Sequence, residues 1–304
     1  MKNPINKLSV IIPTYNRKNH LSRLLAQLEN QVLSNVEMSI ITVVDGSSDG
    51  TLEMLENEFP GVSIVHGNGQ WWWTKSIDEG CKVALKNKSD ALLLMNDDTE
   101  IRKNYITTLL KNARLHPGAI IGSLNITKNK PHLVYFSGVK KIVWWKAKSV
   151  RYHTMLAPYN ENLTGLRQSI LLMGRGLFVP VPVFEKIGLF DEKAFPQYKA
   201  DLDFVLRANK NNIETFISWD AVVYCHLGLT GRGATYGTQS FFSFLASFFG
   251  KNTYTNLIHS FRYYRKHCPF YLLPLSFVID KFRLIYSFLR KRKAVRRAKE
   301  KPHQ

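Results

Sequence analysis

The first 120 residues alternate short apolar runs with segments whose apolar residues recur at helical spacing. Leu21, Leu24 and Leu28, for example, follow one another at intervals of three and four, as on one face of a helix. The apolar runs cover residues 8–13, 38–44, 62–65 and 91–95. Strands that alternate with helices in this way predict an α/β fold, in which helices flank a mostly parallel, Rossmann-like sheet.

Each of three predicted strands is followed by a polar cluster, at residues 14–16, 45–49 and 96–98. In parallel sheets the carboxyl ends of the strands meet at one edge, and ligands bind in the crevice beyond that edge. We therefore expect the three clusters to lie together and to form a nucleotide site.

Carboxylates end two of these strands. Asp97 and Asp98 can hold a hard cation such as Mg²⁺ or Mn²⁺ through oxygen ligands. Asp45 can accept hydrogen bonds from a base or a ribose, whereas Asp49 is placed to cap the next helix. Asp and Asn are also common in turns and helix caps, so a structural role is an open alternative for all of them.

Two further segments contain candidate catalytic groups. Asp201 lies at the predicted start of a helix over residues 201–211, where it can act as a general base for a hydroxyl group. The alternative is a helix cap, with Asp203 and Arg207 forming an ion pair one turn apart. His226 follows a predicted strand over residues 216–224 and can bind a metal or a diphosphate, or serve a structural role.

The run Trp71-Trp72-Trp73 is unusual, because three adjacent side chains cannot all face one core from a regular element. We expect at least one of them to pack in the core, and Trp72 or Trp73 to offer a flat face to a sugar or a base. Shortly after it, Ser76 and Glu79 have the spacing of a capping box. This spacing predicts a helix that begins at Ser76 and ends near Lys86.

The middle of the chain is less regular. Residues 137–168 are interpreted as an excursion over the active-site face. A strand is predicted within residues 170–180, around Gly174-Arg175-Gly176, and a short helix over residues 184–190. Glycines 228, 231, 233 and 237 predict a flexible loop. We place the boundary between the catalytic domain and a helical C-terminal region at residues 235/236.

Composition excludes several classes of protein. A hydrophobic fraction of 45% is incompatible with a wholly disordered chain, and three widely spaced cysteines form neither a disulfide framework nor a CxxC zinc motif. We expect reduced thiols in the cytosol and no signal peptide. The formal net charge of +19 favours polyanionic partners, namely nucleic acid, anionic lipid or phosphorylated substrates.

The C-terminal region combines aromatic and basic residues. Residues 241–249 and 270–289 are rich in Phe and Leu, and from Lys281 onward ten Lys and Arg residues stand against one Glu. No run of about 20 uncharged apolar residues predicts a transmembrane helix. We therefore expect the region to bind the surface of an anionic membrane, with an ordinary helical subdomain as the alternative.

Five motifs follow one another along the chain: Pro13-Thr-Tyr-Asn16, Val44-Asp-Gly-Ser-Ser-Asp-Gly-Thr51, Asn96-Asp-Asp98, Gly188-Leu-Phe-Asp-Glu192 and Tyr198-Lys-Ala-Asp-Leu-Asp-Phe-Val-Leu-Arg207. In this order they resemble the motifs of the family-two inverting glycosyltransferases with the GT-A fold, and the resemblance covers residues 7–230. Trp72-Trp73-Thr74 further resembles a rhamnosyltransferase-like subgroup.

The resemblance implies a role for each matching residue. Asp201 would be the catalytic base, Asp98 with His226 would bind Mg²⁺ or Mn²⁺, and Arg175 and Asp203 would join Trp72 and Trp73 around the donor and acceptor sugars. The nucleoside side would consist of Pro13, Thr14, Tyr15, Asn16, Asp45 and Asp97. Three features depart from the family pattern: Asn96 replaces the first Asp of Asp-x-Asp, Ala200 replaces a Glu, and Asp45-Gly-Ser-Ser is one residue shorter than the common Asp-Asn-Gly-Ser.

The implied reaction transfers a sugar from a nucleotide-sugar to a hydroxyl of a glycan acceptor, with inversion at the anomeric carbon. We expect a lipid-linked acceptor, peripheral association with the cytosolic face of the membrane, and no nucleic-acid partner. The alternatives are a nucleotidyltransferase and a non-catalytic basic protein that binds membranes or nucleic acid. A nucleotidyltransferase usually has a Gly-rich, basic phosphate loop near its N-terminus, which residues 13–16 do not supply.

Overall fold

The computed structural model describes residues 5–33, 35–226, 239–250 and 252–299. Within them the chain forms two compact units. The first comprises residues 1–141 and 151–226, and the second comprises residues 142–150 and 227–304. The predicted boundary at residues 235/236 and the predicted glycine-rich loop lie outside the described residues.

Eleven of the thirteen described strands form one sheet in the first unit. The other two strands, β8 and β9, pair only with each other. The strands are β1 (Lys7–Thr14), β2 (Glu37–Val44), β3 (Ser63–His66), β4 (Ala91–Leu94), β5 (Thr99–Ile101), β6 (Ile120–Thr127), β7 (Leu133–Phe136), β8 (Val139–Val143), β9 (Lys148–Arg151), β10 (Ala157–Pro158), β11 (Leu166–Gln168), β12 (Leu177–Pro180) and β13 (Thr215–Cys225).

The sheet is mixed, which corrects the prediction of a mostly parallel sheet. Its main order is β10-β7-β6-β12-β4-β1-β2-β3. Only β4, β1, β2 and β3 form a continuous parallel block, and β13 is parallel to β6. Strand β12 lies antiparallel between β4 and β6. No α-helix lies between β7 and β12 in the chain, and antiparallel neighbours need no crossover helix.

Helices of the first unit flank its sheet and bury apolar side chains against it. In α1, Leu21, Leu24, Leu25 and Leu28 are buried, as their spacing predicts. The helices are α1 (Lys18–Glu29), α2 (Thr51–Glu58), α3 (Trp72–Lys86), α4 (Tyr105–Leu115), α5 (Val181–Ile187), α6 (Ala200–Lys210), α7 (Phe241–Ala246), α8 (Leu257–His267) and α9 (Leu273–Lys299).

Helix α3 begins at Trp72, one turn before the predicted start at Ser76. The reason is a set of distant acceptors for its first N–H groups. The Asp45 carboxylate accepts from the backbone N–H groups of Trp71 and Trp72 at 2.9 and 3.1 Å, and from that of Gly69 at 2.8 Å. These bonds satisfy donors that an α-helix leaves open, so no local capping box is needed.

The same helix anchors the loop that follows α5. Asp78 is buried, and its carboxyl oxygen accepts from the Phe190 N–H at 3.0 Å. Desolvation raises the pKa of Asp78 to about 7. The side chain is therefore largely protonated in the folded protein below neutral pH, while it ionises near its ordinary pKa in the unfolded chain.

The second unit has its own small core. Phe244 of α7 and Phe288 of α9 are fully buried and stack with ring centroids 4.1 Å apart. Phe248 and Leu284 complete this buried cluster. None of the helices in the described part of the chain combines the length and the hydropathy that crossing a bilayer requires.

Replacing Asp45 with Ala should lower the free energy of unfolding by about 1 to 3 kcal/mol, because buried N–H groups at the start of α3 lose their acceptor. Urea unfolding followed by circular dichroism measures this loss. Asp45→Asn retains one oxygen and should lose less, and Glu56→Ala removes an exposed carboxylate from α2 as the control. An unchanged midpoint for Asp45→Ala would contradict this account of the start of α3.

Ionisation of Asp78 should make stability fall with pH. Because the folded-state pKa is raised, the stability that this group contributes is full below its unfolded pKa and is lost as pH rises through about 7. Asp78→Asn keeps an acceptor for Phe190 and cannot ionise. Relative to this variant, the wild type should lose roughly 1 to 3 kcal/mol between acidic pH and pH 8, since one pKa unit corresponds to about 1.4 kcal/mol. Parallel pH profiles for wild type and variant would disprove the assignment, and Glu56→Gln is the control.

Candidate active site

The three predicted polar clusters meet at the carboxyl edge of the parallel block. Thr14 at the end of β1 donates its hydroxyl proton to the Asp97 carboxylate at 2.9 Å. Asn16 accepts from the Ser48 N–H at 2.7 Å, and its own N–H donates to the Ser47 hydroxyl at 3.0 Å. The expectation that the three clusters lie together is confirmed.

Asp97 and Asp98 are both buried, and two arginines contact them. Arg17 Nη1 lies 2.9 Å from Asp97 Oδ1 and 3.4 Å from Asp98 Oδ2, and Arg175 Nη2 lies 3.5 Å from the same Asp98 oxygen. Burial raises the pKa of Asp97 to about 6, against the opposing effect of Arg17. The two guanidinium groups compensate two carboxylates that would otherwise be costly to bury.

The oxygen chemistry of Asp98 fits Mg²⁺ or Mn²⁺, which prefer carboxylate ligands. In the described ranges, no group of three His, Cys, Asp or Glu side chains is arranged to hold a metal ion. One carboxylate is nevertheless sufficient for a cation whose other ligands are substrate phosphates and water. A cation shared with a diphosphate is therefore the type of site that these residues fit.

His226 lies beside this pair. Its backbone N–H donates to the Asp98 carbonyl oxygen at 3.2 Å. Its ring Nε2 lies 2.9 Å from a carboxylate oxygen of Glu100, which also forms an ion pair with Lys128. The ring further contacts His20 edge-on, with centroids 4.9 Å apart. The backbone of His226 therefore contacts the backbone of Asp98, whereas its imidazole ring contacts the Glu100 carboxylate.

Asp201 lies in the first turn of α6 and is partly buried. Its Oδ2 accepts from the Gly174 N–H at 3.1 Å, and its Oδ1 accepts from the Leu202 N–H at 2.9 Å. Desolvation raises its pKa, against the effect of these bonds. Gly174 and its neighbour Arg175 therefore connect Asp201 with Asp98, because one residue of the pair contacts each carboxylate.

Asp203 is fully buried and forms the ion pair with Arg207, at 2.9 Å between Oδ2 and Nε. Arg207 also donates to the carbonyl oxygen of Leu189 at 2.7 Å. The pair that one alternative predicted is thus present, and it ties α6 to the loop after α5.

Trp73 packs in the centre of the site. Its indole N–H donates to the Asn96 amide oxygen at 3.0 Å, and its backbone N–H donates to the Gln197 side chain at 2.8 Å. A Cβ added to Gly174 would lie 2.4 Å from Cζ2 of this indole, so position 174 has no room for a side chain. Trp72, with a left-handed φ of 59°, is 46% exposed.

Sequence reasoning missed the roles of Arg17, Gln197 and Gly174. Arg17 directly follows the polar cluster at residues 14–16, so its position gave a usable signal. Gln197 binds the start of α3 from 124 residues away, and no local pattern indicates that contact. Gly174 belongs to the Gly174-Arg175-Gly176 segment, but its contact with Trp73 joins residues about 100 positions apart and is visible only in the folded structure.

The chain is similar to known proteins in sequence and in fold. Residues 9–162 match the family model described as Glycosyl transferase family 2. The dTDP-rhamnosyl transferase RfbF of Shigella flexneri is 23% identical over 203 residues, which are 66% of this chain and 63% of that protein. An uncharacterized glycosyltransferase of Rickettsia felis is 26% identical over 192 residues, which are 61% of this chain and 29% of the relative.

A crystal structure of S. aureus TarS, residues 1–349, has the same fold, with a TM-score of 0.52 at 18% identity. The match covers 73% of this chain and 61% of the TarS chain. TarS has also been crystallised in complex with UDP and with UDP-GlcNAc. The chain spans less than two thirds of the length of each of these relatives.

The resemblance noted in the sequence is thus confirmed at the level of the family, and the mixed sheet with its helices is consistent with a GT-A fold. Because the family model covers just over half of the 304 residues, this chain belongs to glycosyl transferase family 2.

Proposed function

We propose that the protein is an inverting glycosyltransferase that moves a sugar from a nucleotide-sugar to a hydroxyl of a glycan acceptor. The observation that carries this proposal is the arrangement around Gly174 and Arg175. Arg175 contacts Asp98, while the Gly174 N–H contacts Asp201. Two adjacent residues therefore contact both the proposed diphosphate and cation site at Asp98 and the proposed base Asp201. A single displacement at the donor sugar needs the leaving diphosphate and the base close to the same anomeric carbon.

On the donor side, we propose that residues 13–16, Asp45 and Asp97 form the nucleoside pocket. Tyr15 is 55% exposed at the end of β1 and has a flat ring free for stacking. TarS, which shares the fold, has been crystallised with a nucleotide-sugar, and this supports the class of donor. The name of the Shigella relative supports a deoxyhexose among the candidate sugars, in line with the Trp-Trp-Thr subgroup.

On the acceptor side, Asp201 is proposed as the base. Its raised pKa makes the carboxylate a better proton acceptor than an exposed Asp. The acceptor hydroxyl gives its proton to Asp201, its oxygen attacks the anomeric carbon, and the bond to the diphosphate breaks. Trp72 and Trp73 would bound the sugars, and Arg175 would orient the reacting groups. When bound at Asp98, the metal would neutralise charge on the leaving diphosphate.

We further propose that the acceptor is a lipid-linked glycan of surface polysaccharide synthesis, and that the enzyme acts peripherally at the cytosolic face of the membrane. The concentration of basic residues in the C-terminal region supports this location. The same charge pattern favours a lipid surface over nucleic acid as the anionic partner, since it accompanies exposed aromatic side chains.

Asp201→Asn should lower kcat by about a hundredfold to ten-thousandfold, because the transition state loses its general base. Donor binding should be unchanged. Turnover of candidate nucleotide-sugars with a glycan acceptor measures the first effect and calorimetry the second. Glu185→Gln, which neutralises an exposed carboxylate of α5, is the control. The wild-type kcat should also fall on acidification through a pKa above the ordinary Asp value of about 4. Near wild-type turnover of Asp201→Asn would refute the assignment.

Asp98→Asn should abolish the metal-dependent part of nucleotide binding, since the cation loses its protein carboxylate. The wild type should show a rise in Tm with one family of nucleoside diphosphates, enhanced by Mg²⁺ or Mn²⁺. Ligand at 100 times its Kd adds about 2.7 kcal/mol of stability. An equal metal-dependent rise in the variant would exclude Asp98 as the ligand. A wild type that responds to no nucleotide would favour the non-catalytic alternative.

A further inference from the structure

Helix α9 has apolar side chains on two opposite faces. Leu284 and Phe288 belong to the buried cluster of the second unit, and Ser276, two turns earlier on the same stripe, is also fully buried. The opposite face is exposed. Its members follow one another at intervals of three and four residues and are Leu275 (48% exposed), Val278 (49%), Phe282 (68%), Tyr286 (68%) and Leu289 (47%). We call these five residues the apolar face.

The apolar face extends over about four helical turns, which is roughly 20 Å at 1.5 Å per residue. Phe270 and Tyr271, just ahead of α9 in the chain, are also exposed, at 86% and 70%. Scattered exposed apolar residues are normal on a protein, but a contiguous surface of this kind indicates an interaction.

The charges around the apolar face have one sign. Arg290 is exposed on its flank, and Lys291 and Lys293 follow at its C-terminal end. Arg283 lies on the same flank, and its Nη1 donates to the carbonyl oxygens of Lys146 and Ala147 at 2.7 and 3.2 Å. Asp280 is the sole acidic residue of the sequence of α9, and it lies on the stripe of Ser276, Leu284 and Phe288, away from the apolar face. Asp280 also pairs with Lys281 at 2.9 Å.

This charge pattern decides between two occupants. A second copy of the chain pairing through the apolar face would bring Arg283 and Arg290 beside basic residues of the other copy, and like charges at a pairing seam are destabilising. An anionic bilayer instead offers opposite charge to these residues and an apolar layer to the Phe, Leu and Val side chains. Tyr side chains are enriched at the same depth of a membrane.

We propose that the apolar face of α9 is the surface by which the protein docks on an anionic lipid bilayer, with the helix lying in the plane of the membrane. The Phe and Leu side chains enter the acyl boundary, while Arg290 and the following lysines bind lipid headgroup phosphates. The apolar face thereby becomes the surface for the peripheral membrane location proposed above. The docking itself rests on the proposed function only in so far as a lipid-linked acceptor requires the enzyme at the membrane.

Vesicle flotation with the full-length protein tests the proposal. We expect binding to vesicles of phosphatidylcholine with about one third phosphatidylglycerol at low salt, and much weaker binding to phosphatidylcholine alone. The double variant Phe282→Ser/Tyr286→Ser should bind at least tenfold more weakly. Leu115→Ser, which removes an exposed leucine from the end of α4, should bind as the wild type does. Leu275→Ser/Val278→Ser provides a second test should the first variant unfold.

Three results would overturn the proposal. The first is no vesicle binding by the wild type. The second is binding that neither double variant changes. The third is a dimer in sedimentation velocity that the same variants dissociate, which would make a second copy the occupant. Vesicle binding involves no sugar transfer, so its failure is distinct from failure of the glycosyltransferase proposal, which the nucleotide and turnover measurements test.

Discussion

The close approach of Trp73 to Gly174 is the constraint on which the site depends. The indole occupies the space that a side chain at position 174 would need, and its N–H binds Asn96 at the end of β4. Phe190 contacts the same ring edge-on, with centroids 5.9 Å apart. One side chain therefore fixes the distance between the turn after β4, which holds Asp98, and the segment that contacts Asp201. Any change in the position of this indole would move the proposed donor and acceptor groups relative to each other.

Carboxylates that are buried or partly buried are the second feature of the molecule, and they are compensated in two ways. Asp97 and Asp98 lie against guanidinium groups, Asp203 has Arg207, and Asp45 has three backbone N–H groups. Asp201 has backbone N–H partners, and its pKa is raised by burial. A carboxylate with a raised pKa and no arginine in an ion pair is suited to proton transfer, whereas Asp98 and Asp203, which contact arginines, are suited to holding charge or structure.

Local patterns predicted much of the first unit. Apolar runs that end at polar clusters located β1, β2 and β4. These strands were predictable because their burial and their ends depend on residues that are adjacent in the sequence. The reversed direction of β12 was not predictable, since it depends on which strands flank it in space. The start of α3 was misplaced for a related reason. Its acceptors come from Asp45 and Gln197, and the capping box at Ser76 was the only local signal.

The departures from the family pattern at positions 96 and 200 are compatible with the contacts in this site. Two arginines face two aspartates at the end of β4, so a third carboxylate at position 96 would leave the buried group with excess negative charge. The Asn96 amide satisfies the Trp73 indole without adding charge. At α6, Ala200 is buried and carries no polar group, and Asp203 is held in its ion pair with Arg207. Among the acidic residues in the first turn of α6, Asp201 is consequently the one whose carboxylate is not committed to an arginine, and the proposed base is assigned to it for that reason.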